Sequence, residues 1–405
     1  MSATNKNFPN IIFLDGVPSK KLGGISQTLC NLFDSYPAQN LFALVDKAQK
    51  NEIDENSIKC TTVGIQIFFL SHLRKRVINK LNPFIDKLNG FFREIMGVQL
   101  EHEKLPPNAL LLVCTTNVTK LHAAKLIHQK YKYPLLTCFM DDWTANMKFN
   151  WWLGDIDKLV KYTLDDAVGR LMISEALNKS LNERYSLIPK PTYIVHNPVD
   201  LTTEFTKPAD IRQVKVVKII YAGSIWDMHL DALILVVNAI EKVNQMSGKK
   251  YELCIYSNSS FWERNKIALN KPGVTFGGFV LYNNLATELS LASLLLVSSS
   301  FLKQFEAFSR SSVQTKLTDY MRMGIPVLSV GPTYGACNWF VKKWDCGYTW
   351  DNTDVDQFVN FLVDITSNDE IYQIRAENAY YGVKNHFSKP IIQKQLTEFI
   401  SSLSE

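Results

Sequence analysis

The chain has 405 residues, of which 46% are hydrophobic and 20% charged, with a formal net charge of +5. That length exceeds what one core usually organises, so two domains of about 150–200 residues are expected. So small a charge argues against a dedicated nucleic-acid binder, and seven scattered cysteines without a C-x-x-C argue against a disulfide framework or a zinc ribbon. Several cysteines sit in apolar runs such as "LLVCTT" and "ELCIY", where the residue acts as a small hydrophobe. This usage fits a reducing cytoplasm. The opening "MSATNKNFPN" lacks the apolar stretch of a signal peptide, and no apolar run is long enough to span a bilayer.

Taken in order, "NIIFLDG" (10–16) reads as the first strand and "GISQTLCNLF" (24–33) as the helix after it. "LFALVD", "TTVGIQIFFL", "ALLLVCTT" and "YPLLTCFMDD" follow as strands, with "NVTKLHAAKLIHQKY" (117–131) an intervening helix. Residues 70–95 break the alternation. They place Leu70, Leu73, Val77, Leu81, Phe84, Leu88, Phe92 and Ile95 at helical spacing, opposite a face rich in lysine and arginine. Such a basic amphipathic helix suits an anionic membrane surface, as a peripheral contact on the inner face of the plasma membrane. It equally suits a core-facing helix with a solvated basic side, and the sequence leaves both readings open.

"AVGRLMISEALNKSLNERY" and "PTYIVHNPVD" complete a first half, and the polar, proline-containing stretch 201–216 reads as a linker. Strand and helix patterns then resume with "VKIIYAGS", "DALILVVNAIEKVNQ", "KYELCIYS", "VTFGGFV" and "LLLVSSS"; "SNSSFWERN" (257–265) reads as a loop. Strict alternation of this kind marks parallel α/β sheets. The expected layout is an N-terminal domain over 1–205 and a C-terminal domain over 215–380, followed by a helical segment over 381–405. Two doubly wound domains in series would face each other across a cleft, with ligands at the carboxyl ends of the strands.

Walker A, G-x-G-x-x-G, H-E-x-x-H and G-x-S-x-G motifs are all missing. Two D-x-D pairs, Asp155/Asp157 and Asp354/Asp356, start helical patterns, so they read as solvated helix starts and no metal site is assigned. The stretch "SSVQTKLTDYMRMGIPVLSVG" (311–331) is the most distinctive. It carries Lys316 and Asp319 three residues apart on a short helix, which Gly324 in the left-handed conformation and Pro326 should stop before a buried strand.

That stretch resembles the "K-L-x-E-Y-x-x-x-G-x-P-V" signature of GT-B-fold glycosyltransferases, in particular the retaining, family-four type (glycosyl transferases group 1). "KIIYAGSIWDMHLDALILVVNAI" (218–240) is similar to their first C-terminal strand, glycine turn and helix, and "KPGVTFGGFVLYNNLATELSLASLLLVSSS" (271–300) resembles the run that follows. "GGISQTLCNL" and "CFMDDWTANM" resemble N-terminal features of the same enzymes. The resemblance implies two Rossmann-like domains, a last helix returning to the N-terminal domain, and transfer of a sugar from a nucleotide-sugar, UDP-linked, to a hydroxyl of a glycan or lipid-linked glycan. It implies no cofactor beyond the donor and no metal. It places Gly23, Gly24, Ser224, Gly278, Arg310, Thr315, Lys316 and Asp319 at the donor, with the helix N-terminus and Lys316 on the diphosphate and Asp319 on the ribose hydroxyls; from the residues alone, Gly23-Gly24 equally suits a plain turn and Lys316/Asp319 a surface ion pair. Asp141 and Asp142, at a strand's carboxyl end, are the candidates to orient or deprotonate the acceptor. Helix capping is the alternative for one of the two.

The chain also departs from that pattern. Ser311 stands where the resemblance expects an acidic residue on the donor sugar, and Ser224 and His229 stand where a basic pair would hold the diphosphate. Arg310, Lys316 or Lys303 could substitute. A nucleotide-sugar epimerase shares the fold but needs acidic and histidine groups around the sugar, which Ser311 does not supply. A non-catalytic glycan- or partner-binding module is the rival from another class, favoured by the same three substitutions.

Overall fold

The structure is a computed structural model, and it describes residues 8–19, 25–47, 58–69, 95–114, 117–146, 156–201, 204–246 and 248–403. The chain divides into two compact units. One is Met1–Pro198 together with Lys389–Glu405, and the other is Val199–Ser388. Among the described residues no helix is long and apolar enough to cross a membrane.

The first unit opens with β1 (Asn10–Leu14), α1 (Ile25–Leu32), β2 (Leu41–Asp46), β3 (Thr61–Phe69) and β4 (Ile95–Leu100). It continues with β5 (Ala109–Val113), α2 (Val118–Tyr131), β6 (Leu135–Phe139), α3 (Ile156–Asp166), β7 (Gly169–Met172), α4 (Glu175–Tyr185) and β8 (Thr192–Ile194). These strands form one sheet in the order β4-β3-β2-β1-β5-β6-β7-β8. Every residue of β5 and β6 is buried, as expected for central parallel strands covered on both faces. The pairing is parallel except at the edge, where β4 runs antiparallel to β3. The helix expected over 70–95 lies outside the described residues up to position 94; its last residue, Ile95, begins β4 instead. The C-terminal helix Lys389–Ser402 packs onto this unit. Gln393 Nε2 donates to Asn31 O at 2.6 Å, and a Cβ on Gly169 would come within 2.5 Å of the Leu403 side chain.

The second unit alternates strictly: β9 (Val216–Ala222), α5 (Asp227–Val243), β10 (Lys250–Tyr256), α6 (Ser259–Leu269), β11 (Val274–Gly278), α7 (Tyr282–Leu289) and β12 (Leu294–Ser298). Then come α8 (Glu306–Ser311), α9 (Lys316–Met321), β13 (Val327–Val330), α10 (Ala336–Trp344), β14 (Gly347–Trp350), α11 (Val355–Ile365) and α12 (Asp369–Gly382). All six strands pair in parallel, in the order β11-β10-β9-β12-β13-β14. The core runs along α5, whose Leu233, Val236, Val237 and Ile240 are buried with Val217, Ile219 and Tyr221 of β9 and with Phe358 and Leu362 of α11.

Two expectations are corrected here. The stretch 257–265 is not a loop: Asn258 caps α6, its Oδ1 accepting from Ser260 N at 2.9 Å, and Trp262 stacks on Phe276 with centroids 4.8 Å apart. The polar stretch after residue 201 is docked on the second unit. Phe205 packs against Tyr380, Pro208 O accepts from Gln373 Nε2 at 3.1 Å, and Ile211 N donates to Asp369 Oδ1 at 2.9 Å. Asp354 acts as an N-cap, accepting from Asp356 N and Gln357 N, as a solvated helix start should.

Candidate functional site

In the second unit the strand ends gather the distinctive residues. After β9 the chain turns at Gly223, whose φ of +141° is a conformation that L side chains rarely adopt. Helix α9 is tied to this turn, because Tyr320 Oη accepts from Ala222 N at 2.8 Å and donates back to Ala222 O at 3.2 Å. That clamp brings Lys316, the first residue of α9, under the glycine. A Cβ on Gly223 would come within 2.8 Å of Lys316 Nζ, so a side chain there would displace the ammonium from this position.

Lys316 Nζ is fully buried and has no hydrogen-bond partner among the described residues. It lies 4.0 Å from the centroid of the Tyr221 ring, a cation–π contact that partly replaces lost hydration. Burial pulls its pKa down to about 7. His229 lies in the same neighbourhood. Its pKa is lowered to about 3, first by burial and then by the Lys316 charge, so it is neutral. Its Nδ1 sits 2.9 Å from Ser298 O and therefore carries the proton. Lys316 is thus at hand beside this turn. Arg310 is engaged elsewhere, paired with Glu306 at 2.7 Å and stacked 4.0 Å over the Tyr334 ring.

The helix of 311–331 is shorter and more buried than its sequence suggests. Ser311 ends α8, its hydroxyl donating to Ala307 O at 2.8 Å, and α9 has six residues with Leu317–Met321 all buried. A helix of six residues carries a smaller dipole than a long one, so Lys316 is the larger positive charge at this end of α9. Thr315 precedes it without a side-chain cap. Gly324 ends the segment at φ +63°, with its N–H on Met321 O at 3.0 Å, the left-handed stop expected from the sequence. One turn past Lys316, the 7%-exposed Asp319 accepts from Tyr282 Oη at 2.8 Å on Oδ1, and Arg322 Nη2 lies 3.6 Å from the same oxygen. Ser224 is exposed beyond the glycine turn, its carbonyl accepting from Tyr221 Oη at 2.8 Å. Gly278, at φ +78°, ends β11 with open space where a Cβ would stand.

The first unit has its own strand-end group. The buried Cys114 thiol is pushed well up, first by a hydrogen bond with Cys138 and by burial, then by the charges of Asp15 and Asp141. This gathers residues from the carboxyl ends of β1, β5 and β6. The two acidic neighbours "DD" now separate. Asp142 is fully buried, with Arg184 Nη1 donating to Oδ1 at 2.7 Å and Nη2 to Oδ2 at 2.5 Å, and with Thr144 and Ser180 bonded as well. It is a structural anchor between the strand end and α4. Asp142→Ala is expected to strand the Arg184 charge and lower stability by about 3 kcal/mol in denaturant unfolding. Asp141 differs: Oδ1 is buried without a partner among the described residues. Burial, then the Asp142 charge, raises its pKa to about 6. Gly23 and Gly24 lie outside the described residues.

Sequence reasoning marked the glycine turn that Gly223 forms, but passed over Tyr221, Tyr282 and Asp15. Gly223 was visible as the glycine after a β-branched run, whereas the others carry no local signal. Among the described residues no three histidine, cysteine or acidic side chains cluster in a way that could hold a metal.

Two six-or-more-stranded parallel α/β units of this kind make the GT-B fold of glycosyltransferases. Within it, residues 216–368, the larger part of the second unit, match the family model described as glycosyl transferases group 1. Similar solved structures include HepE from Anabaena in complex with UDP-glucose, at 16% identity, TM-score 0.66, covering 97% of this chain and 99% of that one. Sucrose-phosphate synthase from Thermosynechococcus elongatus follows at 15% identity and TM-score 0.68, covering 98% and 99%. The α,α-trehalose 6-phosphate synthase from Burkholderia multivorans has 10% identity and TM-score 0.64, with the same coverage. At these identities the likeness is one of fold. No protein of curated function has a significantly similar sequence.

Proposed function

We propose that the protein is a glycosyltransferase that moves a hexosyl or N-acetylhexosaminyl group from a UDP-sugar to a hydroxyl of a glycan or lipid-linked glycan, as in cell-surface polysaccharide assembly. One observation carries this reading. Lys316 holds a buried ammonium with no hydrogen-bond partner among the described residues, beside the turn at Gly223, where no side chain intervenes, at the carboxyl ends of a parallel sheet. An unpaired buried charge is costly unless a ligand completes it, and a diphosphate supplies the missing acceptors at the place where such sheets bind nucleotides. The family match of residues 216–368 and the likeness to HepE, whose structure is a complex with UDP-glucose, point the same way.

In this reading Lys316 offers charge-assisted hydrogen bonds to the diphosphate as the bond to the sugar breaks. Asp319 serves the ribose hydroxyls. Asp141 accepts the proton of the attacking acceptor hydroxyl, with the unpartnered oxygen and a pKa near neutrality that a general base needs. Lys316 does the charge stabilisation that a metal would otherwise supply, so the reaction is expected to withstand chelator. Calorimetry with uridine, guanosine and thymidine diphosphates in chelator is the test. Tight binding of UDP is the expected result; a folded sample that binds none of the three would favour a non-catalytic module, the reading to which Ser311 and the neutral His229 lend themselves.

A further inference from the structure

Asp319 is the residue assigned above to the ribose, yet it is 7% exposed and Oδ1 already accepts from Tyr282 Oη at 2.8 Å. Tyr282 is the more accessible of the two, at 38% exposure. It opens α7, directly after the exposed Phe279 and Leu281 and the open ground at Gly278. Arg322 backs the pair, with its guanidinium 5.7 Å from the Tyr282 ring centroid and 3.6 Å from Asp319 Oδ1. Of the two side chains, Tyr282 is therefore the one more open to an incoming ligand.

We propose that Tyr282 is a specificity residue that reads a ribose hydroxyl on behalf of Asp319. A phenol has one donor and two acceptor positions. Its donor is committed to Asp319, so to any further partner the oxygen offers lone pairs, which a ribose hydroxyl can satisfy and a deoxyribose carbon cannot. Burial and the Asp319 charge raise the Tyr282 pKa, so the phenol keeps its proton and this polarity is fixed at neutral pH. A site built around such an oxygen rejects a ligand that lacks the hydroxyl, because the committed group is left unmatched.

The inference rests on the donor-site reading of the preceding subsection, and one set of titrations separates the two. UDP, 2′-deoxy-UDP and 3′-deoxy-UDP are titrated into the wild-type protein and into Tyr282→Phe. The wild type is expected to bind UDP about tenfold more tightly than one of the deoxy analogues, the worth of one hydrogen bond. In Tyr282→Phe that preference should vanish, with UDP falling to the level of the deoxy analogue and the analogue's own affinity unchanged. The unchanged affinity is also the control for folding. Retained discrimination in Tyr282→Phe would reduce Tyr282 to a structural partner of Asp319 and overturn the proposal. Tighter UDP binding by the variant would show that the phenol blocks the carboxylate, and would overturn it too. A wild type that binds no diphosphate would remove the donor-site reading itself, and this inference with it.

Discussion

Lys316→Met should weaken UDP binding by about ten- to a hundredfold while leaving the protein at least as stable. The two halves of that result come from one fact. Lys316 Nζ is a cation buried against the Tyr221 ring and Gly223, without a hydrogen-bond acceptor among the described residues. For the free protein this is a burden, which an apolar side chain of similar length relieves. For a diphosphate it is the partner, and hydrogen bonds to charged groups are worth about 1.5–3 kcal/mol, or roughly ten- to a hundredfold in affinity. The pH dependence has a definite sign. With the folded pKa lowered to about 7, the free protein holds the charged form below neutrality and sheds it above, whereas a bound diphosphate restores it. Binding of UDP should therefore take up a proton above pH 7 and weaken as pH rises, by up to about tenfold per unit. Stability moves the other way: between about 7 and the unfolded lysine value the unfolded chain binds more protons, so stability rises with pH. The methionine variant should show neither slope. Equal affinity for UDP in wild type and variant from pH 6 to 9 would take Lys316 out of the site.

Much of this molecule could be read before the structure was known, and the boundary has a physical shape. Parallel strands buried on both faces write themselves as apolar runs, so β1, β5, β6, β9 and β12 were plain in "NIIFL", "ALLLV", "LLTCF", "VVKIIYA" and "LLLVS". Gly324 and Pro326 announced the end of α9 because turn chemistry is local. The edge strand β4 was not legible: "IMGVQL" has one partner strand, an interrupting glycine and no clear alternation. Helix α6 was hidden because its first two turns, "SSFWERN", are mostly polar and its anchor is the stacking of the buried Trp262 on Phe276, beyond the end of the helix. The site shows the same divide. Lys316 and Asp319 stood out by their spacing, but Tyr282 meets Asp319 across thirty-seven positions and Gly223 meets Lys316 across a sheet, which a local pattern cannot express. The dipeptide Asp141-Asp142 is the sharpest case. Neighbours in sequence point to different surroundings, and the presence of Arg184 beside one alone decides which carboxylate is spent on structure.

Asp141→Asn is accordingly expected to lower kcat by about a hundredfold or more, the usual contribution of a positioned general base, with donor affinity unchanged. The substitution is nearly isosteric and keeps a side-chain oxygen for the Trp143 N–H that Asp141 now accepts. What it removes is the ability to take a proton. Because burial and the Asp142 charge raise the Asp141 pKa to about 6, the carboxylate form needed by a base appears as pH climbs through that value. In kcat/KM, which reports the free enzyme, the rate should rise on this acid limb and fall on a second limb near 7, where unliganded Lys316 loses its proton, giving a narrow bell. Asp141→Asn should abolish the acid limb and leave the alkaline one. Stability supplies an independent reading of the same group. A carboxyl whose folded pKa lies above its unfolded value favours the fold fully below the unfolded value, and that contribution is lost as pH rises through about 6. The asparagine variant should lack this loss and be relatively more stable above pH 6, the opposite of what Asp142→Ala does. An Asp141→Asn protein with wild-type kcat and an intact acid limb would mean that the acceptor is activated by another group. Of the charges gathered at those strand ends, Asp15 is the one that also acts on the buried Cys114 thiol, and it would be the next carboxylate to replace.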